Sequence, residues 1–119
     1  RTGSAFATLI YFPFERFEIT SGDLRRHEFL SESEKRWQTN FCEKCGSTVF
    51  IELEIFEGLI GVEAGTFYPP TFWFDVSNEV FIRSKAHFVG DIVTINKDDT
   101  FFSYEPKNGE NPRLSSSQN

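Results

Sequence analysis

Apolar and polar residues alternate along much of the chain with a period of two, the mark of half-buried strands. Ala5 to Phe12 is apolar on both faces, with Phe6, Ile10 and Phe12 on one side and Leu9 and Tyr11 on the other, as in a central strand. Phe17 to Thr20 and Leu24 to Leu30 flank Ser21-Gly22-Asp23, a turn composition, and read as a hairpin. Arg36 to Phe41 sets Trp37 and Phe41 on one face and Arg36, Gln38 and Asn40 on the other. Thr48 to Ile55 aligns Val49, Ile51, Leu53 and Ile55. After a Glu57-Gly58 turn, Gly58 to Ala64 aligns Ile60, Val62 and Ala64, and Val80 to Arg83 is the last convincing strand. No segment of about ten residues carries a capped helical stripe. Short helical turns are expected near Pro13 to Arg16 and Pro70 to Phe74. The class is therefore mainly β: a small antiparallel β-sheet domain of about six to eight short strands.

Length and composition narrow this picture. The 119 residues suit one domain. Only 39% are apolar, but 15 are Phe, and large rings supply core area to a small chain. After Asp98 the composition shifts to stretches such as Asn108-Gly109-Glu110-Asn111-Pro112 and Ser115-Ser116-Ser117-Gln118-Asn119, which lack core formers. The expected division is a β domain over 1–97 and a mobile tail over 98–119. With 18 acidic against 12 basic residues and a net charge of −6, a nucleic-acid partner is not expected. No run approaches the ~20 apolar residues of a membrane span, and the first residues show no signal peptide, so a cytoplasmic protein without a membrane partner is expected. The chain has no Met and opens with Arg, which reads as a fragment or trimmed product.

Both cysteines fall in Phe41-Cys42-Glu43-Lys44-Cys45-Gly46. Three readings of the pair stay open. A structural zinc knuckle sets Cys-x2-Cys on a tight turn, with Gly letting the backbone bend so that both sulfurs face one metal. A thioredoxin-like redox pair opens a helix in a parallel fold, whereas Ser47 to Ile55 reads here as a strand. The third reading is two free thiols. A closed zinc site takes four ligands. His27, between Arg26 and Glu28 in a strand, and His87, after Lys85-Ala86, lack ligand spacing and read as surface histidines.

Several segments taken together resemble the glutathione-dependent formaldehyde-activating enzyme family, of which centromere protein V is a relative. Arg1-Thr2-Gly3-Ser4-Ala5-Phe6 is similar to the stretch that follows that family's Cys-x-Cys-x2-Cys run. Phe17 to Gly22 matches its Phe-x-Ile/Val-x-x-Gly hairpin, Phe41 to Ser47 its Phe-Cys-x2-Cys-Gly-Ser/Thr knuckle, and Val62-Glu63-Ala64-Gly65-Thr66 its Val-x-Ala-Gly-Ser/Thr segment. Asn78 to Lys85 matches its last strand loosely, and Phe88 stands near a frequent Trp. The resemblance spans residues 1 to 91, and its specificity lies in order and spacing together.

The resemblance implies a zinc-dependent carbon–sulfur lyase that joins formaldehyde to the glutathione thiol as S-hydroxymethylglutathione. It also implies two zincs, one structural and one catalytic. Cys42 and Cys45 carry over as half of the structural Zn2+ site. The catalytic zinc's cysteine run precedes the residue aligned with Arg1, so no catalytic residue carries over and the chain alone is expected to be inactive. A second copy lending its own cysteine pair across a symmetric interface is one route to four ligands. The expected partner is glutathione or a thiol adduct; the alternative is a non-catalytic zinc-stabilised β module for binding. Thr2-Gly3-Ser4 reads as either a neighbour of the catalytic metal or a tight strand entry. Arg25, Arg26, Lys35 and Arg36 read as a cationic rim or a solvated face. Phe12-Pro13-Phe14 and Phe72-Trp73-Phe74 read as groove lining or core.

Overall fold

The computed structural model describes residues 3–102, 104 and 105. They fall into two compact units, one over Thr8–Phe72 and one formed by the described residues on either side of it. No α-helix occurs among the described residues, and no helix there is long and apolar enough to cross a membrane.

The first unit is one antiparallel sheet. Its strands are β1 (Leu9–Pro13), β2 (Leu24–Leu30), β3 (Arg36–Cys42), β4 (Thr48–Leu53) and β5 (Leu59–Glu63), in the order β1-β5-β4-β3-β2. The last four follow one another as a meander, and β1 lies beside β5. β2 and β3 pair in one unbroken register from Leu24 opposite Cys42 to Leu30 opposite Arg36. β3 and β4 shift register between Asn40 and Phe41. The mainly β antiparallel class is what the alternation predicts, and the short turn expected at Pro13 to Arg16 is a 3-10 turn over Phe14–Arg16.

Phe50, Ile51, Leu53, Ile60 and Ala64 form the buried apolar core. Phe50 and Ile51 are neighbours on β4, so the sheet is covered on both faces there. On one face the ring of Phe17 lies over Phe50, with centroids 4.7 Å apart. On the other, Tyr11 and Ile51 meet above Gly61, where a Cβ would stand 2.9 Å from Tyr11 Cε1 and 2.9 Å from Ile51 Cγ1. The ring of Phe56 meets Tyr11 edge-on at 4.9 Å. Burial of the phenol pushes the Tyr11 pKa up to about 12.

Three details depart from the pattern of the sequence. Phe17 to Thr20 is not a strand. The Asp23 carbonyl accepts from the Glu43 amide at 3.0 Å, so the chain entering β2 is already committed to β3, and Phe17 serves as a cover for Phe50. The Gln38/Asn40 face of β3 is the more buried one, at 8% and 4% exposure, against half-buried Trp37 and Phe41. Hydrogen bonds make this tolerable. Gln38 Nε2 donates to Glu28 Oε2 at 2.9 Å, Asn40 Nδ2 to the Phe50 carbonyl at 3.4 Å, and Arg26 Nε to Asn40 Oδ1 at 3.4 Å. Residues 70–74 form no helical turn; the other 3-10 turns of this unit are Glu54–Phe56 and Ala64–Thr66.

In the second unit, β6 (Asn78–Glu79) and β7 (Asn96–Lys97) make a short parallel pair. The strand expected over Val80 to Arg83 does not form. Phe81 sits in the left-handed region at φ 58°, which ends the extended backbone and leads into a 3-10 turn over Ile82–Ser84. This segment bonds to the chain after β7: the Phe81 amide donates to the Thr100 carbonyl at 3.0 Å, and the Asp98 amide to the Glu79 carbonyl at 2.9 Å. The rings of Phe81 and Phe101 stack at 6.0 Å. The Glu79 carboxylate lies 2.9 Å from Lys85 Nζ and 3.8 Å from Lys97 Nζ, with the Glu79 side chain only 12% exposed. Residues 106–119, most of the expected tail, lie outside the described residues.

Candidate functional site

The two cysteines sit at the turn that joins β3 to β4. Cys42 closes β3, a turn runs over 43–45, and β4 begins at Thr48. Gly46 has φ 76°, a conformation that costs a glycine little and a side-chain-bearing residue more. Its amide donates back to the Cys42 carbonyl at 2.9 Å, and the Cys42 amide donates to the Ser47 carbonyl at 2.8 Å. The Glu43 amide ties the turn to Asp23 at the entry of β2. The result is a closed turn with a thiol at each end, Cys42 half-buried and Cys45 exposed, both unoxidised.

Hydrogen bonds within the turn make the Cys45 thiol more acidic. The Cys45 thiol donates to Ser47 Oγ at 3.3 Å. Once the proton leaves, the same hydroxyl can turn and donate to the sulfur. The Ser47 hydroxyl, then the Ser47 backbone, then the Cys42 thiol lower the Cys45 pKa below the ordinary thiol range. At the rim, Arg25 Nη2 lies 3.5 Å from Glu43 Oε1, an exposed pair of small energetic weight.

A soft metal suits two thiolate donors on such a turn. The donor set is half of what a closed zinc site takes: among the described residues, no group of three or more Cys, His, Asp or Glu side chains is placed to hold a metal. His27 is opposite Thr39 on the β2–β3 ladder, three residue pairs from Cys42, about 10 Å along the strand. It is exposed and stacks on Phe29 at 5.9 Å. His87 belongs to the other unit, where it meets Phe88 edge-on at 5.7 Å.

The remaining candidates do not gather at one place. Arg25 and Arg26 are consecutive on β2 and point to opposite faces. Lys35 Nζ lies 3.7 Å from Glu54 Oε2, and the Arg36 amide donates to Glu54 Oε1 at 3.4 Å. Phe12 is half-buried and meets Phe67 at 6.0 Å, while Phe14, Phe72 and Trp73 are 54%, 68% and 59% exposed and so do not belong to the core. Thr2 lies outside the described residues, and Gly3 and Ser4 are exposed. Glu79 between Lys85 and Lys97 was not singled out by the sequence; a carboxylate beside a two-residue strand carries no periodic signal.

The sequence matches the family described as glutathione-dependent formaldehyde-activating enzyme over residues 1–84. Searches of curated proteins and of solved structures each returned no match. The family match takes in all five strands of the sheet and the Cys42–Cys45 turn. The chain therefore belongs to the glutathione-dependent formaldehyde-activating enzyme family.

Proposed function

We propose that this domain serves glutathione-linked formaldehyde chemistry, as in an S-(hydroxymethyl)glutathione synthase-like carbon–sulfur lyase, and that Cys42 and Cys45 are two of the four thiolates of a structural zinc site. The observation that carries the reading is the closed Cys42–Ser47 turn, with its lowered Cys45 thiol, inside a chain of that family. In the forward reaction the glutathione sulfur adds to the formaldehyde carbon. A C–S bond forms, and the thiol proton ends on the new hydroxyl oxygen. The reverse step breaks that bond and returns both.

The residues present fit half of a zinc site, so no step is routed through a metal. Zinc held there would supply a cross-link that pins the turn after β3 to the end of that strand. The chain's own part is to set the two cysteines at the ends of a turn closed at Gly46, and to ease loss of the Cys45 proton through Ser47. Full four-ligand zinc peptides gain on the order of 10–16 kcal/mol from the metal, and two thiolates are expected to bind far more weakly.

Native mass spectrometry of the chain titrated with zinc tests the metal assignment. Uptake that disappears in both Cys42→Ser and Cys45→Ser is expected; uptake unchanged in either variant overturns it. Saturation-transfer NMR with the glutathione–formaldehyde adduct tests the substrate class. Transfer to the adduct is expected, and no transfer overturns the glutathione reading. Adduct exchange at the spontaneous rate is expected for this chain alone. A clear acceleration would assign catalytic groups within it and bring His27 and His87 back as donors.

A further inference from the structure

Among the described residues, strand β2 is the outermost strand on its side of the sheet. Its seven residues, Leu24-Arg25-Arg26-His27-Glu28-Phe29-Leu30, include four consecutive exposed ones, Arg25 to Glu28, and Leu30 is 66% exposed. The direction of its backbone groups follows from the two ends of the β2–β3 ladder. The Ser31 amide donates to the Lys35 carbonyl at 2.8 Å, and the Glu43 amide to the Asp23 carbonyl at 3.0 Å. Both pairs continue the β2–β3 register, so residues 25, 27 and 29 aim their amides and carbonyls at β3. Leu24, Arg26, Glu28 and Leu30 aim theirs outward.

An edge with outward amides and carbonyls pairs with another strand unless its side chains prevent it. Here the side chains are complementary to themselves. In an antiparallel pair related by a two-fold axis, outward-facing residues must face one another, so the axis passes through a residue position. An axis at His27 pairs all seven residues: Leu24 with Leu30, Arg25 with Phe29, Arg26 with Glu28, and His27 with His27 of a second copy. Moving the axis to Arg26 sets Arg26 against Arg26 and Leu24 against Glu28. Moving it to Glu28 sets Glu28 against Glu28. The longest register is thus the one in which every charge on the outward-bonding face meets its opposite.

We propose that β2 is a self-pairing edge and that its partner is a second copy of this chain, joined antiparallel about His27 into a continuous sheet of ten strands, twice the five of one copy. Arg26 and Glu28 of the other copy form the hydrogen-bonded pairs, with Cα atoms about 5.5 Å apart, a spacing at which opposite charges stabilise and like charges repel. The side chains are already steadied from below, Arg26 by Asn40 and Glu28 by Gln38, so less side-chain freedom is lost when they meet. The Leu24–Leu30 pairs flank them and cover an otherwise exposed leucine. This inference is independent of the zinc and glutathione reading.

Sedimentation equilibrium of the full chain from micromolar to millimolar concentration tests it, with circular dichroism as a check on folding. A reversible dimer is expected. Arg26→Glu places two Glu–Glu contacts in the interface and is expected to weaken the dimer at least about tenfold. The double variant Arg26→Glu/Glu28→Arg restores opposite charges and is expected to return to within about threefold of the natural chain. Amide exchange gives a second reading. The Leu24, Arg26, Glu28 and Leu30 amides should gain protection as concentration rises, while those of Arg25, His27 and Phe29 stay constant. A chain that is monomeric throughout overturns the proposal. So does a double variant as weak as the single one, or added protection at the odd-numbered amides.

Discussion

The two units put their apolar side chains to different effect. In the Thr8–Phe72 unit, five- to seven-residue strands hold one another in register, and among the described residues every member of the buried core, apolar or polar, lies there. In the other unit the strands are two residues long. Several of its large apolar residues face water: Phe88, Val93 and Ile95 are 72%, 94% and 80% exposed. That unit is held by loop hydrogen bonds, stacked rings, and Glu79 between two lysines. The difference lies in alternation. A side chain is buried efficiently when its neighbours two positions away share its face and the next strand repeats the arrangement. Isolated aromatics in a loop find each other without excluding water.

The comparison is testable from both sides, since Trp37 reports on the sheet and Trp73 belongs to the other unit. The largest effect is expected at Ile60, which has 0% exposure. Ile60→Ala should cost about 2–5 kcal/mol in chemical denaturation followed through Trp37 in a Trp73→Phe background. A cost below about 1 kcal/mol would mean that the sheet core is loosely packed. Gly61→Ala should cost about 1–3 kcal/mol, because the new methyl has Ile51 and Tyr11 2.9 Å away. No loss there would show that those two side chains give way freely.

Glu79→Gln should cost about 1–2 kcal/mol, less than a fully buried pair would, and should act on the second unit alone. Fluorescence of Trp73 in a Trp37→Phe background reads it. An equal shift of the Trp37 transition would show that both units unfold as one and would break the comparison. The smallest effect concerns alkali. Tyr11 keeps its proton to about pH 12 in the folded chain. The unfolded chain gives that proton up near pH 10. Tyr11 therefore favours the fold fully below about pH 10, and stability falls as pH rises from there through about 12. A Tyr11→Phe variant should lose part of that slope in alkaline melts; an unchanged slope would count against a buried phenol.

The sheet was largely legible because alternation runs through five or more residues at Arg36 to Phe41, Thr48 to Leu53 and Leu59 to Glu63, and the Ser21-Gly22-Asp23 turn marks the start of Leu24 to Leu30. Alternation does not say which face is inside. Gln38 and Asn40 look like an outer face until Glu28, Arg26 and the Phe50 carbonyl are seen to satisfy them. Nor does it separate a strand from an extended cover, as Phe17 to Thr20 shows. The turn at Cys42 to Gly46 was legible because a glycine after Cys-x2-Cys states a backbone requirement locally. The Glu79 cluster was not, because Lys97 is eighteen residues away and β7 is too short to declare itself.

Gly61 has a consequence for how this sheet can change. The space above it is shared by a ring from β1 and a branched chain from β4, on the two strands that flank β5. Volume there is conserved as a sum over three positions. A methyl gained at 61 has to be matched by a shift or a loss of volume at 11 or 51. Any drift at this spot therefore proceeds by paired substitutions across strands, and residue 61 cannot vary freely while Tyr11 and Ile51 stay as they are.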